Sequence, residues 1–357
     1  MKHKVYLSNT DDTVQALKDS LSKAFQFAGV SLPVGRSIIV KPNMTWTSWK
    51  PGVTTTPALL EALAEILVDH GDRLTFVEGD GGMNSWKAEE ALYSHGCHDL
   101  AKRFGDKVGV RSVMHEPTRI EPVTIQGTKV AIPLPESLLD PDKFFITIPT
   151  LKTHCMSYVS LNYKNQWGCI PNTKRLRHHH MLASAVIAIN RLIGVDLSIV
   201  DAITALDGNG PMYGEEIPFG ALIVGREPGA VARVCTRVMQ LDHLDAPILR
   251  LADQLGQIPR DESIETSSPV EDFLKHRFRP VVLPKNRISI GLSKSKWATW
   301  FVYDSPVTPV IYGIRKSIFG WKGIPRNAVP EWIYDYPAPP SEVEADTDPE
   351  KREESDQ

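Results

Sequence analysis

The sequence predicts an α/β fold, a mostly parallel sheet flanked by helices, with a C-terminal extension. Three observations predict it. Short apolar runs bounded by polar turns recur through the first 255 residues and read as buried strands. Amphipathic stretches at helical spacing alternate with them, as strand-helix-strand units require. Several of the runs turn polar at their carboxyl ends, where an open parallel sheet presents side chains to a ligand.

The elements follow in order. From Asp11 to Ala28, residues Val14, Leu17, Leu21, Ala24 and Phe25 recur at helical spacing, and Ser37 to Val40 reads as a strand. Thr56-Pro57 sets an N-cap before a proline at the first helical position. The helix it opens carries the stripe Leu60, Leu63, Ile66 and Leu67, stops at Gly71, and gives way to a strand from Leu74 to Val77. A helix is predicted from about Ser85 to His95, short strands between Val108 and Ile132, and a strand from Phe144 to Ile148. A helix from Leu182 to Leu192 leads into a strand from Leu197 to Val200. Ala221 to Val224 reads as a strand, and helices over Gly229 to Met239 and Asp245 to Leu255 close the core.

These elements place a core domain at 1–258, an extension at 259–338 and a tail at 339–357. Between Lys285 and Arg326 there are eight Lys or Arg and one acid, Asp304, interleaved with aromatics that include Trp297, Trp300 and Phe301. This segment is expected to wrap the core and bury its aromatics, with peripheral membrane contact as the less favoured reading. Residues 341–357 carry eight acids against two bases, too polar to order themselves.

Hydrophobic residues at 42%, charged residues at 23% and a net charge of −3 fit a globular protein and argue against one that coats nucleic acid. No nucleic-acid partner is expected. The four cysteines, Cys97, Cys155, Cys169 and Cys235, are widely spaced without a CxxC pair, so neither a disulfide framework nor a ferredoxin-type iron-sulfur cluster is expected. No apolar h-region follows the N-terminus and no apolar run is long enough to span a bilayer, which predicts a cytoplasmic protein.

Candidate functional residues concentrate between Ile148 and Pro211. Lys152, Thr153 and His154 follow a strand, Lys164 and Asn165 come next, then the triplet His178, His179 and His180, then Asp201 and Asp207. Other strand ends supply Lys41 with Asn43, and the turn Glu78-Gly79-Asp80-Gly81-Gly82. Lysines and histidines gathered with carboxylates suit acid-base chemistry. Lys152, His154 and Lys164 are the expected catalytic residues. Lys41, Asn43, Asp80, Gly81, Asp201, Asp207 and Asn209 are the expected cofactor- or ligand-binding residues. Each has an ordinary structural alternative: strand-end lysines and aspartates form caps and salt bridges, tight turns need glycine, and a histidine run beside Lys174, Arg175 and Arg177 suits a solvated basic loop. The glycine-rich turns match neither the Rossmann nor the Walker pattern.

In combination these motifs are specific. The runs Val40-Lys41-Pro42-Asn43, Thr54-Thr55-Thr56-Pro57, Glu78 to Gly82, Pro149 to His154, Lys164 to Pro171 and Asp207 to Pro211 resemble the bacterial and archaeal family named domain of unknown function 362, over about residues 36–255. Some members carry a ferredoxin-like cluster domain, and Ala232 stands here where the family's aspartate is expected. The spacing from His154 to Lys164 to His180 is also similar to that of the nickel-pincer lactate racemases. That resemblance implies a lysine holding a pyridine-derived cofactor and a histidine binding metal, hence His154 and His180 as metal ligands, with a divalent ion as the possible cofactor. The expected function is a metal- or cofactor-dependent enzyme acting on a small carboxylate substrate, of isomerase or racemase type. The alternative is a non-catalytic accessory protein of iron-sulfur electron transfer or metal delivery.

Overall fold

The strands form where β-branched and aromatic residues run without a polar break. In the computed structural model, which describes residues 2–282 and 284–310, they begin with β1 (His3–Asn9), β2 (Ile38–Pro42), β3 (Leu74–Glu78) and β4 (Val108–Ser112). Four short strands follow, β5 (Thr118–Ile120), β6 (Val123–Ile125), β7 (Thr128–Val130) and β8 (Pro133–Pro135), making two small two-stranded sheets. The main sheet resumes with β9 (Phe144–Ile148), β10 (Thr150–His154), β11 (Tyr158–Ser160), β12 (Leu197–Asp207), β13 (Glu215–Gly225) and β14 (Ile264–Thr266).

The main sheet runs β14-β1-β13-β12-β9-β2-β3-β4, with β10 paired to β11 and β12. Strands β12, β9, β2, β3 and β4 are mutually parallel, whereas β13 runs antiparallel to both β12 and β1. The parallel strands are buried on both faces; β2 and β9 have no exposed residue, as strands covered by two helix layers must be.

Helices α1 (Val14–Ala28), α2 (Pro57–Leu67), α3 (Ala88–Ser94) and α4 (Cys97–Phe104) share one apolar cluster with Phe76 and Ile146. After two single turns, α5 (Glu136–Leu139) and α6 (Asn162–Asn165), the opposite face is covered by α7 (Leu182–Ile193), α8 (Pro228–Val238) and α9 (Pro247–Gln254), which pack with Phe145 and Ile223. Helix α1 starts at Thr13, whose hydroxyl accepts from the Ala16 amide, and ends at Gly29 in the left-handed conformation, the αL cap that glycine favours. The fold is thus α/β with a mostly parallel, mixed sheet between helices. Among the described residues, no helix is long and apolar enough to cross a membrane.

Three expectations change. Lys152 and His154 lie on a strand, β10, not in a loop: the buried Thr150–His154 segment finds partners for its amides on β11 and β12. The chain after residue 258 returns to the core, since β14 extends the sheet beside β1 and Phe273 and Phe278 are buried. Finally, α10 (Pro284–Ser293) and α11 (Lys296–Tyr303) leave three aromatics of the basic segment in solvent. Trp297, Trp300 and Phe301 are exposed, because α11 contacts the protein through its small face, Ala298 and Thr299. The rest of the basic aromatic segment, from 311, and the acidic tail lie outside the described residues.

Candidate functional site

The carboxyl ends of β2, β3, β9 and β12 meet at one edge of the sheet. Lys41, the last but one residue of β2, is 1% exposed and donates to Glu78 Oε2 at 2.7 Å and to the Pro42 carbonyl at 2.6 Å. Glu78 also accepts the Met44 and Gly79 amides. Burial pushes its carboxyl up and the Lys41 ammonium opposes that shift. Gly168 lies directly over the pair: a Cβ there would fall 2.8 Å from Glu78 Oε1, while one on Gly79 would collide with the Gly168 carbonyl. The glycines in the Glu-Gly and Trp-Gly runs therefore allow two backbone turns to close over a buried ion pair.

Lys152 is fully buried on β10, donating to the Val53 carbonyl at 2.5 Å and Thr45 Oγ1 at 3.2 Å. It makes no salt bridge among the described residues. Burial, with Lys164 and Lys41 facing it, drives its pKa well down, against the weaker opposing influence of Asp201 and Glu78. Lys164 sits on α6, held over the sheet edge by its neighbour: Asn165 donates to the Lys41 carbonyl and to Thr147 Oγ1, both at 2.9 Å. The Lys164 ammonium has no hydrogen-bond or ion-pair partner among the described residues, and burial lowers its pKa to about 8.

His154, at the end of β10, is 7% exposed. Its Nδ1 accepts the Met156 amide at 3.0 Å and the Ser157 amide at 3.4 Å. Two N–H groups aimed at one nitrogen exclude a proton there, so the neutral ring carries its proton on Nε2. Burial, Lys164, Lys152 and His179 all hold it neutral. The ring is thus a fixed hydrogen-bond donor.

Of the histidine triplet, His179 faces this group. Its ring packs on Trp167 with centroids 5.6 Å apart, and burial, Lys164 and Arg175 bring its pKa to about 3. His180 turns away, bonding the Arg177 carbonyl through Nδ1 at 2.9 Å and approaching Thr299 of α11. Arg175 is buried, donates to the Asp80 carbonyl at 2.5 Å and faces Glu78 and Asp80. The sequence alone places Arg175 in a solvated loop, and the largely polar run Asn172 to His178 around it carries no local signal of burial.

The expected metal ligands do not fit a metal. A histidine coordinating through Nε2 must carry its proton on Nδ1, the reverse of His154, and His180 points elsewhere. Among the described residues no three His, Cys, Asp or Glu side chains converge. Several expected ligand residues are occupied structurally. Asp201 accepts the Thr56 amide at 2.7 Å, capping α2, and the Ile203 amide at 3.2 Å. Asp80 accepts the Ala88 amide at the start of α3 and the Lys87 ammonium. Asn43 joins Thr55 to Thr150, and Gly81 leaves room for the Trp86 ring. Asp207 is held by His276 and the Arg279 and Gly208 amides, with Asn209 half-buried in the same turn.

A cavity of about 10 Å³ borders Lys164, between Ser157, Leu161 and Ile248, room for a single water. A larger cleft of about 520 Å³ lies at the opposite edge of the sheet, beside Tyr163, Arg191, Glu227 and Gln257. We place the candidate site at the lysines despite its smaller volume, because the convergent ionisable groups are there and the loop Arg175–Met181 with α11 roofs it.

The chain is 25% identical over 242 residues to a thylakoid-associated protein of Synechocystis sp., covering 63% of this chain and 70% of that one. Solved structures with similar outlines include a Thermotoga maritima protein (16% identity, TM-score 0.40, 66% of this chain) and the lactate racemase apoprotein of Thermoanaerobacterium thermosaccharolyticum (11% identity, TM-score 0.43, 68% of this chain). The chain spans about 60% of the length of each, 61% and 58%. The model of the domain of unknown function 362 family matches residues 38–237, more than half of the sequence, and the chain belongs to that family.

Proposed function

We propose that the protein is an enzyme that binds a small carboxylate substrate at the Lys152, His154, Lys164 and His179 cluster and moves a proton on it. The observation that carries this reading is the cluster's uncompensated charge. Among the described residues neither Lys164 nor Lys152 meets a carboxylate, and Arg175 stands behind them. Lys152 is fully buried and Lys164 half-buried; cations withdrawn from water without partners are costly, and an anion entering among them relieves that cost.

The roles follow from protonation. An amine titrating near 8 is matched to proton transfer at neutral pH, so Lys164 takes or returns the proton. It is also the group to which a carbonyl-bearing cofactor would attach. His154 cannot be a base at Nδ1 and is a poor acid at Nε2; as a neutral donor it would polarise a carbonyl or carboxylate oxygen. Lys152 adds a buried amine donor, and Arg175 supplies positive potential.

Titration calorimetry against a panel of small mono- and dicarboxylates tests binding, and proton NMR in D2O tests exchange of the hydrogen next to the carboxylate. Binding that weakens at least tenfold in Lys164→Met, with the far-UV dichroism unchanged, supports the reading. A wild-type protein that binds no carboxylate and exchanges no proton refutes it.

A further inference from the structure

Helix α11 has two faces of opposite character. Ala298 and Thr299 are buried on the side that meets the loop carrying the histidine triplet. Thr299 Oγ1 lies 3.5 Å from His180 Nδ1, and Arg177 reaches Asp304 at 2.9 Å. The other face carries Trp297, Trp300 and Phe301 at positions i, i+3 and i+4, exposed by 69%, 48% and 40%. The Trp297 and Phe301 rings stack, centroids 5.6 Å apart and 14° between planes, so the aromatic surface is fixed before anything covers it. Leu292 before the helix and Val307 after it are exposed as well. Such a patch on a protein surface marks an interaction.

Charge identifies the occupant. Residues 284–310 hold four bases, Lys285, Arg287, Lys294 and Lys296, and one acid, Asp304, which Arg177 neutralises. Lys294 and Lys296 are exposed beside the aromatics and make no ion pair among the described residues. Indole rings seated at headgroup depth, with ammonium groups level with lipid phosphates, are what an interfacial helix needs.

We propose that α11 docks the protein on an anionic lipid bilayer, with Trp297, Trp300 and Phe301 entering the headgroup layer and Lys294 and Lys296 facing lipid phosphate. The helix is about 12 Å long, enough to seat three aromatics but not to cross. Because its buried face lies on the histidine loop, docking sets the roof of the candidate site against the membrane.

Vesicle flotation of the full chain tests this, with vesicles of phosphatidylcholine alone and of phosphatidylcholine mixed with phosphatidylglycerol. Wild type floats with the mixed vesicles at low salt and the binding fades as salt is raised. The triple variant Trp297→Ser, Trp300→Ser, Phe301→Ser stays in the soluble fraction. Should that variant fold poorly by its melting curve, the pair Lys294→Glu and Lys296→Glu decides, since both residues are exposed. Its binding is roughly thirtyfold weaker, about fivefold for each lysine removed from the lipid surface. Absence of wild-type binding to either vesicle overturns the proposal, as does binding that survives both variants. A wild-type dimer in sedimentation that the triple variant abolishes, without flotation, also overturns it and assigns the face to a second copy of the chain.

Discussion

Two lysines near the same edge of the sheet, Lys41 on β2 and Lys152 on β10, are equally buried and differently treated. Lys41 meets Glu78 at 2.7 Å, and Glu78 is itself held by two backbone amides. Lys152 meets a carbonyl and a hydroxyl, and its nearest charged neighbours include two other cations, Lys164 and Lys41. The first lysine is finished by the fold; the second, with Lys164, leaves positive charge that the described residues do not cancel. A fold tolerates such a cost where a ligand completes the site, which is why the unpaired region and not the paired one is read as functional.

The largest expected effect breaks the finished pair. Glu78→Ala strands the Lys41 ammonium in the core, and losing one partner of a buried ion pair costs about 3 to 5 kcal/mol. Urea denaturation followed by far-UV dichroism measures it. The double variant Lys41→Met, Glu78→Leu should recover most of that loss. A Glu78→Ala cost below about 1 kcal/mol would mean that the two lysines are not different in kind.

The next effect belongs to the unpaired side. Lys164 titrates at about 8 in the folded protein against an ordinary lysine value of 10.5. Between those values the unfolded chain still holds a proton that the folded chain has released, so stability rises with pH across the window from about 8 to 10.5. Lys164→Met removes that rise. Melting temperatures of the two proteins through the window should converge toward the alkaline end; a constant difference would show that Lys164 is paired in solution.

Much of this contrast is legible in the sequence, for a physical reason. Strand ends in a parallel sheet are fixed by apolar periodicity, so Ile38–Val40, Leu74–Val77 and Phe144–Ile148 announce which edge gathers Lys41, Glu78 and the residues after Ile148. What periodicity does not encode is who satisfies whom. Thr150–His154 alternates apolar with polar residues weakly, so its strand reads as a loop. Asp201 looks like a ligand until the Thr56 amide at the start of α2 is seen to need it. His179 and His180 are the same residue type side by side; only the turn of Arg175–Met181 decides that the first meets Trp167 and the second Arg177. The pairing of long-range partners is set by tertiary packing, which local sequence does not carry.

A smaller effect separates cost from use. Lys152→Met removes a buried amine with no carboxylate to strand, so its stability should lie within about 1 kcal/mol of wild type, the lost bond to the Val53 carbonyl offsetting the relief of desolvation. Carboxylate affinity should nonetheless fall. A destabilisation as large as that of Glu78→Ala would place Lys152 with Lys41 among the structural lysines.

The smallest effect puts the same chemistry in water. Arg177 and Asp304 approach to 2.9 Å, little farther than Lys41 and Glu78, but each side chain is about 30% exposed, at 30% and 28%. Solvent and salt screen such a pair, and it is worth roughly 0.2 to 1 kcal/mol. Arg177→Ala should therefore leave the global melting transition almost unmoved while loosening α11 locally, seen as faster amide hydrogen exchange across residues 296–303. If distance alone governed ion pairs, Arg177→Ala and Glu78→Ala would cost alike. The expected gap between them measures how far burial, rather than geometry, makes the sheet edge sensitive to charge, and so why uncancelled lysines there signify more than lysines on the surface.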